Sequence, residues 1–334
     1  MQTRGLQCPP ASKNPFMTEI PALLEFEHGI AAVDTDYVRP LLDASHVIVR
    51  DGRAAFVDTG TTHSVPRLLQ AIETLGVDRA DVDYVFLTHV HLDHAGGAGE
   101  LMRHLPNAKA MVHFRGAAHL VNPEKLIAGT KAVYGEAEFA RLYGDIPPIP
   151  AERVVEVPDG SRLALGDSEL LFIHTPGHAL HHYCIVDEES GSAFTGDTFG
   201  ISYRVFDTLK GAFIFPATTP VHFDPDQAHA SLDKILSYEP DAVFLTHYSR
   251  VTDLSRLAQD MHQGIDAHVR IAQSLKDAGD ARLEKIKKKL HAYLVERIRA
   301  HGCTLDQKTV DRWLEMDVDL NAKGLGVWLD RVKR

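Results

Sequence analysis

Within Thr88-His89-Val90-His91-Leu92-Asp93-His94-Ala95-Gly96-Gly97, three histidines and an aspartate fall inside six positions. Imidazole and carboxylate donors without thiolate suit zinc, iron or manganese. Side chains alternate along an extended chain, so His89 and His91 point the same way. His94 breaks that parity, and a turn there can aim Asp93 and His94 at a second ion. The apolar run Val85-Phe86-Leu87 reads as a short buried strand, and the paired glycines open a helix. The donors therefore occupy a strand-to-helix loop at the end of a sheet, where a rigid scaffold can present polar groups.

The surrounding elements repeat that plan. Ile30-Ala31-Ala32-Val33, His46-Val47-Ile48-Val49 and Ala54-Ala55-Phe56-Val57 read as strands, with a hairpin signal at Asp51-Gly52. Leu68, Leu69, Ile72 and Leu75 space out as one helix face, and Lys109 to His113 as another strand. A second strand-rich half runs through Val154–Val157, Arg162–Leu165, Leu170–His174, Tyr183–Val186 and Ala193–Thr195. Val243-Phe244-Leu245 closes it, preceding His247 as Val85-Phe86-Leu87 precedes His89. Between the halves, Tyr134, Phe139, Leu142 and Tyr143 fall at helical spacing, until Gly144 and Pro147, Pro148 and Pro150 stop the helix. Beyond Thr252 the pattern is helical over 252–277, 281–300, 306–316 and 319–332. Apolar residues such as Leu257, Ile265, Leu294, Trp313 and Trp328 are too many there for a solvated tail, and need the strand-rich halves or a second copy of the chain as partner.

His-x-His-x-Asp-His resembles the signature of the metallo-β-lactamase-fold hydrolases, and the Thr-His-x-His-x-Asp-His form resembles their glyoxalase II-like branch. The rest of the pattern follows in order: Asp58 in Val57-Asp58-Thr59-Gly60, His178 in Thr175-Pro176-Gly177-His178, Asp197 in Thr195-Gly196-Asp197-Thr198, and His247 in Leu245-Thr246-His247-Tyr248. The resemblance covers roughly residues 20 to 250. It implies an α/β fold, the αββα four-layer sandwich, here with a helical C-terminal extension. The organisation expected is a flexible extension over 1–16, a catalytic domain over 17–251 with a lid-like helical insert at 123–150, and helices over 252–334. The resemblance assigns His89, His91 and His178 to one metal, Asp93, His94 and His247 to a second, and Asp197 to both. It places Asp93 and His94 at the reacting centre, beside a metal-bridging hydroxide that attacks an acyl carbon or phosphorus. Asp58 resembles the carboxylate that braces the motif loop, and His182 takes a similar bracing or structural role. Tyr203 and Arg204, soon after Asp197, are candidates to touch substrate, Arg204 suiting a carboxylate or phosphate. His63, His113, His174 and His222 stand outside the ligand pattern.

The expected reaction is hydrolysis of a thioester, lactone or other carboxylic ester by two divalent ions, zinc foremost, with iron or manganese as alternatives. Three other readings stay open. One is a mononuclear-iron persulfide dioxygenase, one a phosphodiesterase or ribonuclease, and one a ligand-binding protein keeping a vestigial site. The net charge of −11 argues against nucleic acid as a partner. The cluster Lys285, Lys287, Lys288 and Lys289 belongs to a helix and reads as a solvated face. Cys8, Cys184 and Cys303 are too scattered for a disulfide framework, and no apolar core of a signal peptide precedes Met17. A cytoplasmic protein acting on a small molecule, with no membrane span and with a homodimer in view, is the expectation; β-lactam hydrolysis is disfavoured, since those enzymes are secreted.

Overall fold

A computed structural model describes residues 22–219 and 221–332. The extension expected over 1–16, with Cys8, lies outside the described residues. The first sheet takes seven strands in chain order: β1 (Leu23–Glu25), β2 (Ile30–Asp34), β3 (Ala44–Arg50), β4 (Arg53–Val57), β5 (Val82–Leu87), β6 (Lys109–His113) and β7 (Val154–Val157). Strands β1 to β4 are antiparallel, and β4 to β7 run parallel. Asp51 and Gly52 both have positive φ, as a tight hairpin between β3 and β4 requires. The second sheet comprises β8 (Arg162–Leu165), β9 (Ser168–His174), β10 (Tyr183–Asp187), β11 (Ser192–Gly196), β12 (Ala242–Leu245) and β13 (Ser249–Val251). Its strands pair antiparallel except for β11 and β12, which run parallel.

The helices are α1 (Val65–Thr74), α2 (Leu92–Ala95), α3 (Ala98–His104), α4 (Phe114–Val121), α5 (Glu124–Tyr134), α6 (Glu136–Tyr143), α7 (Pro225–Leu236), α8 (Leu254–Gln273), α9 (Arg282–Ala300) and α10 (Gln307–Val332). Strand residues alternate between cores. Phe56, Val85 and Leu87 face outward onto Leu68 and Ile72 of α1 and Leu101 of α3. Ala55, Val57 and Phe86 turn inward to meet Phe172, Ile185, Phe194 and Phe244 between the sheets. On the far side, Leu171, Ile173, Val243 and Leu245 join Leu232, Leu257 and Ile265. The layers are thus helix, sheet, sheet, helix, as the sequence predicts. Burial on both faces explains why the strands read as continuous apolar runs.

The C-terminal helices continue that last core. Leu290, Leu294 and Ile298 of α9, and Trp313, Leu314 and Leu325 of α10, pack in one cluster with Tyr203, Phe206 and Phe215. The sequence predicts separate helices at 306–316 and 319–332, but Gln307–Val332 is one helix of 26 residues. The apparent break at Met316-Asp317-Val318-Asp319 comes from a buried aspartate. Asp317 lies on the inner face, 6% exposed, and accepts a hydrogen bond from Tyr203. Among the described residues no helix is long and apolar enough to cross a membrane.

Candidate metal centre

All the candidate ligands lie at strand ends on one edge of the sandwich. β5 delivers His89 and His91, α2 carries Asp93 and His94, β11 ends just before Asp197, and β12 just before His247. Ring nitrogens of His89, His91 and His178 converge: His91 Nδ1 is 2.8 Å from His89 Nε2 and 3.1 Å from His178 Nε2. A second group forms from Asp93, His94 and His247, with His247 Nε2 3.6 Å from Asp93 Oδ2. Asp197 stands between them. Its Oδ2 lies 3.4 Å from His178 Nε2, while its Oδ1 lies 3.2 Å from His94 Nε2 and 3.4 Å from His247 Nε2.

The far side of each ring decides which nitrogen holds the lone pair. His94 Nδ1–H donates to Asp58 Oδ2 at 2.7 Å, His178 Nδ1–H to the Ala217 carbonyl at 3.1 Å, and His247 Nδ1–H to the Leu42 carbonyl at 3.0 Å. Each Nε2 is therefore left as a lone pair facing the cluster, the arrangement a metal ligand needs. His94 Nε2 and Asp197 Oδ1 are buried without a hydrogen-bond partner. Orphaned buried polar atoms are costly unless something else binds them, and these fit a cation. Burial, then neighbouring imidazoles, pushes His89 and His91 well below the ordinary histidine range, which keeps them neutral. Burial opposes charge on His94 too, yet Asp197 and Asp58 raise its proton affinity well above the ordinary value. A position so hungry for positive charge suits a metal ion.

Asp58, at φ +58, ends β4 in the left-handed region. Its carboxylate accepts from Thr88 N–H (2.8 Å), the Thr246 hydroxyl (2.9 Å) and His94. It thus ties the residue before His89 to the residue before His247. His182 stands behind the ligand groups: its ring stacks on His89 with centroids 4.9 Å apart, its Nε2 accepts the Asp197 N–H at 3.3 Å, and Nδ1 faces the hydroxyls of Thr175 and Thr198.

Tyr203 and Arg204 are engaged by groups within the fold. Arg204 donates to the Ser202 carbonyl at 2.6 Å and pairs with Asp207 at 3.4 Å, so its guanidinium is spent within its own loop. Tyr203 is buried against Trp313, its hydroxyl on Asp317. Burial pushes the Cys184 thiol up to about 12, unfit for a nucleophile at neutral pH. His113 accepts the Arg115 N–H at the start of α4, and His174 faces the Val157 carbonyl.

Sequence reasoning missed the groups around the second ligand group. The Tyr37 hydroxyl donates to that of Tyr143 at 3.0 Å, and Tyr134 packs edge-on to Tyr143. Burial, and then Asp93, raises Tyr134 to about 12, so it stays a donor. Asp43, buried beside His247, is pushed up to about 8 by burial. Tyr37 and Asp43 come from distant segments that no local spacing announces, whereas the spacing of Tyr134 and Tyr143 marks a helix but not the direction the rings face.

Residues 39–247 match the sequence profile of the metallo-beta-lactamase superfamily, and the chain belongs to that superfamily. The metallo-beta-lactamase fold-containing protein ST1585 of Sulfurisphaera tokodaii is 26% identical over 224 residues, 66% of this chain and 77% of that protein. Hydroxyacylglutathione hydrolase 2 of Vibrio vulnificus is 27% identical over 208 residues, 59% of this chain and 67% of the relative. In fold, a beta-lactamase domain protein from Burkholderia ambifaria superposes with a TM-score of 0.61, covering 95% of this chain and 92% of its own at 17% identity. The solved structure of ST1585 gives 0.60, over 89% and 98%, at 21% identity.

Proposed function

We propose that this chain is a dinuclear metal-dependent hydrolase of acyl bonds, with thioesters, lactones and other carboxylic esters as its substrate class. The observation that carries this is the placing of Asp197, one oxygen toward His178 and the other toward His94 and His247. One carboxylate shared by two ligand groups is the arrangement for two adjacent ions. Divalent ions bound there supply a hydroxide nucleophile at neutral pH and polarise the attacked carbonyl. The protein's part is to orient the ligand rings through Asp58, Ala217 and Leu42, and to keep the cluster largely dry. Tyr134 and Tyr143, from the insert at 123–150, are donors for a substrate oxygen on the Asp93 side.

A hydroxyacylglutathione hydrolase among the relatives supports acyl-group hydrolysis over the alternatives. The inward engagement of Arg204 weakens the phosphodiester reading, since that cation does not face the cluster. Zinc leads the metals that this donor set suits, with iron and manganese next. The test is to purify the chain without chelators, count metals, and assay thioesters, lactones and phosphodiesters. Two ions per chain with turnover of acyl substrates is the expected result. One ion per chain, even after supplementation with zinc, iron and manganese, rejects the dinuclear reading.

A further inference from the structure

On the buried face of α10, Asp317, Asn321 and Gly324 stand at spacings of four and three, which puts them on one stripe. Their neighbours on that face, Leu314, Val318 and Leu325, are apolar. Asparagine and aspartate are exceptions in such surroundings, and both are hydrogen-bonded. Asn321 Oδ1 accepts the Thr218 N–H at 2.6 Å, Nδ2 donates to the Pro216 carbonyl at 3.1 Å, and the Thr218 hydroxyl donates to the Asn321 carbonyl at 3.3 Å. Ala217, between those two partners, owns the carbonyl that fixes His178. At Gly324 a Cβ would overlap the Thr218 carbonyl oxygen, so the helix lies directly on this loop. One turn before Asn321, Asp317 accepts from the Tyr203 hydroxyl at 3.1 Å. The residue before Tyr203 is Ser202, whose N–H donates to the His247 carbonyl at 2.5 Å.

We infer that α10 clamps the metal centre from outside the sandwich: Asn321 is a positioning residue for His178, and Asp317, through Tyr203, for His247. Two loops that hydrogen-bond ligands of different groups, Ala217 to His178 and Ser202 to His247, are held by one helix. Buried polar groups that are fully bonded fix a unique geometry, whereas an apolar residue at either position would leave loop backbone or a phenol unpaired. The inference rests on reading His178 and His247 as ligands of two ions, and goes beyond it by assigning a role to the C-terminal helix.

The experiment uses the full chain with two readouts. The first is affinity for each equivalent of Zn(II) and Co(II), by chelator competition. The second is the histidine-ring NMR spectrum and the amide exchange of the metal-free protein. Asn321→Leu should weaken one equivalent 10- to 100-fold, the range for lost partners of metal-bound histidines, and leave the other within about threefold. In the metal-free protein it should shift the His178 Nδ1–H signal and strip exchange protection from Thr218. Asp317→Leu should weaken the other equivalent, and Asp317→Asn, which can still accept from Tyr203, should restore it. Leu314→Ala, on the same helix, should lower the melting temperature with both affinities intact. Equal affinity losses in Asn321→Leu and Leu314→Ala, or wild-type affinities with an unmoved His178 signal, overturn the clamp. Should Asn321→Leu fail to fold, Gly324→Ala, which displaces Thr218, decides by the same criteria. If the wild-type chain binds no metal, the hydrolase reading fails, while the His178 and Thr218 signals still decide the clamp.

Discussion

Asp58 shows how much one residue can hold. Its carboxylate collects donors from three places in the chain, Thr88, His94 and Thr246, and so fixes the approach to both ligand groups. Asp58→Asn keeps the shape but puts an N–H₂ where an acceptor is needed. Metal affinity, measured by chelator competition, should fall 10- to 100-fold; wild-type affinity in this variant would show that Asp58 is no brace. A second residue contributes to the response to acid. His268 on α8 is fully buried with neither ring nitrogen hydrogen-bonded, and burial lowers it to about 3. Below about pH 6.5 the unfolded chain takes up a proton at this ring that the folded chain refuses. Stability should therefore fall as pH drops from about 6.5 towards 3, by about 1.4 kcal/mol per pH unit from this histidine. Comparing melting temperatures of wild type and His268→Leu across that window tests it, and parallel curves would count against the assignment. The ligand string was legible because His89, His91, Asp93 and His94 fall within six positions, and Asp197 and His247 follow the ends of apolar strands. His268 was not, since a lone histidine on a helix carries no spacing signal.

At the scale of elements, strands were easier to read than helices. Val85-Phe86-Leu87 and Val243-Phe244-Leu245 are buried on both faces, so an apolar run alone marks them. α10 was misread as two helices because Asp317 interrupts the apolar spacing, yet its partner is Tyr203, 114 residues earlier. No local pattern encodes a pairing of that kind. The insert was legible as helical from Tyr134, Phe139, Leu142 and Tyr143, but not the direction those rings face. They turn inward, and Phe139, Leu142 and Tyr143 are each no more than 5% exposed. If Tyr143 serves substrate, Tyr143→Phe should leave metal content at wild type and lower kcat/KM by up to about tenfold, the worth of one hydrogen bond. A drop in bound metal with kcat/KM per metal unchanged would assign the phenol to bracing Asp93 instead.

For the whole molecule the sequence left one question of ownership. Leu257, Ile265, Leu294, Trp313 and Trp328 needed a covering surface, and spacing cannot say whether that surface belongs to the same chain. In the fold it does. Trp313 packs at 5.1 Å on Tyr203 and 6.4 Å on Phe206, and Leu257 and Ile265 cover the outer face of the second sheet. Residues 252–332 are therefore integral to that core. Removing them would bare Tyr203, Phe206, Phe213 and Phe215, now no more than 4% exposed, and release the hydrogen bonds of Asp317 and Asn321. At about 1.5–3 kcal/mol for each large apolar side chain, four such exposures approach the 5–15 kcal/mol that holds a typical domain together. A chain ending at Asp253 should accordingly be insoluble or lack a cooperative melting transition, and should retain no stoichiometric metal. Circular dichroism, thermal unfolding and metal analysis of the truncated chain check this. A folded, metal-loaded product would mean that the sandwich closes its second outer face without the C-terminal helices, and their contribution would then have to be sought in association between chains.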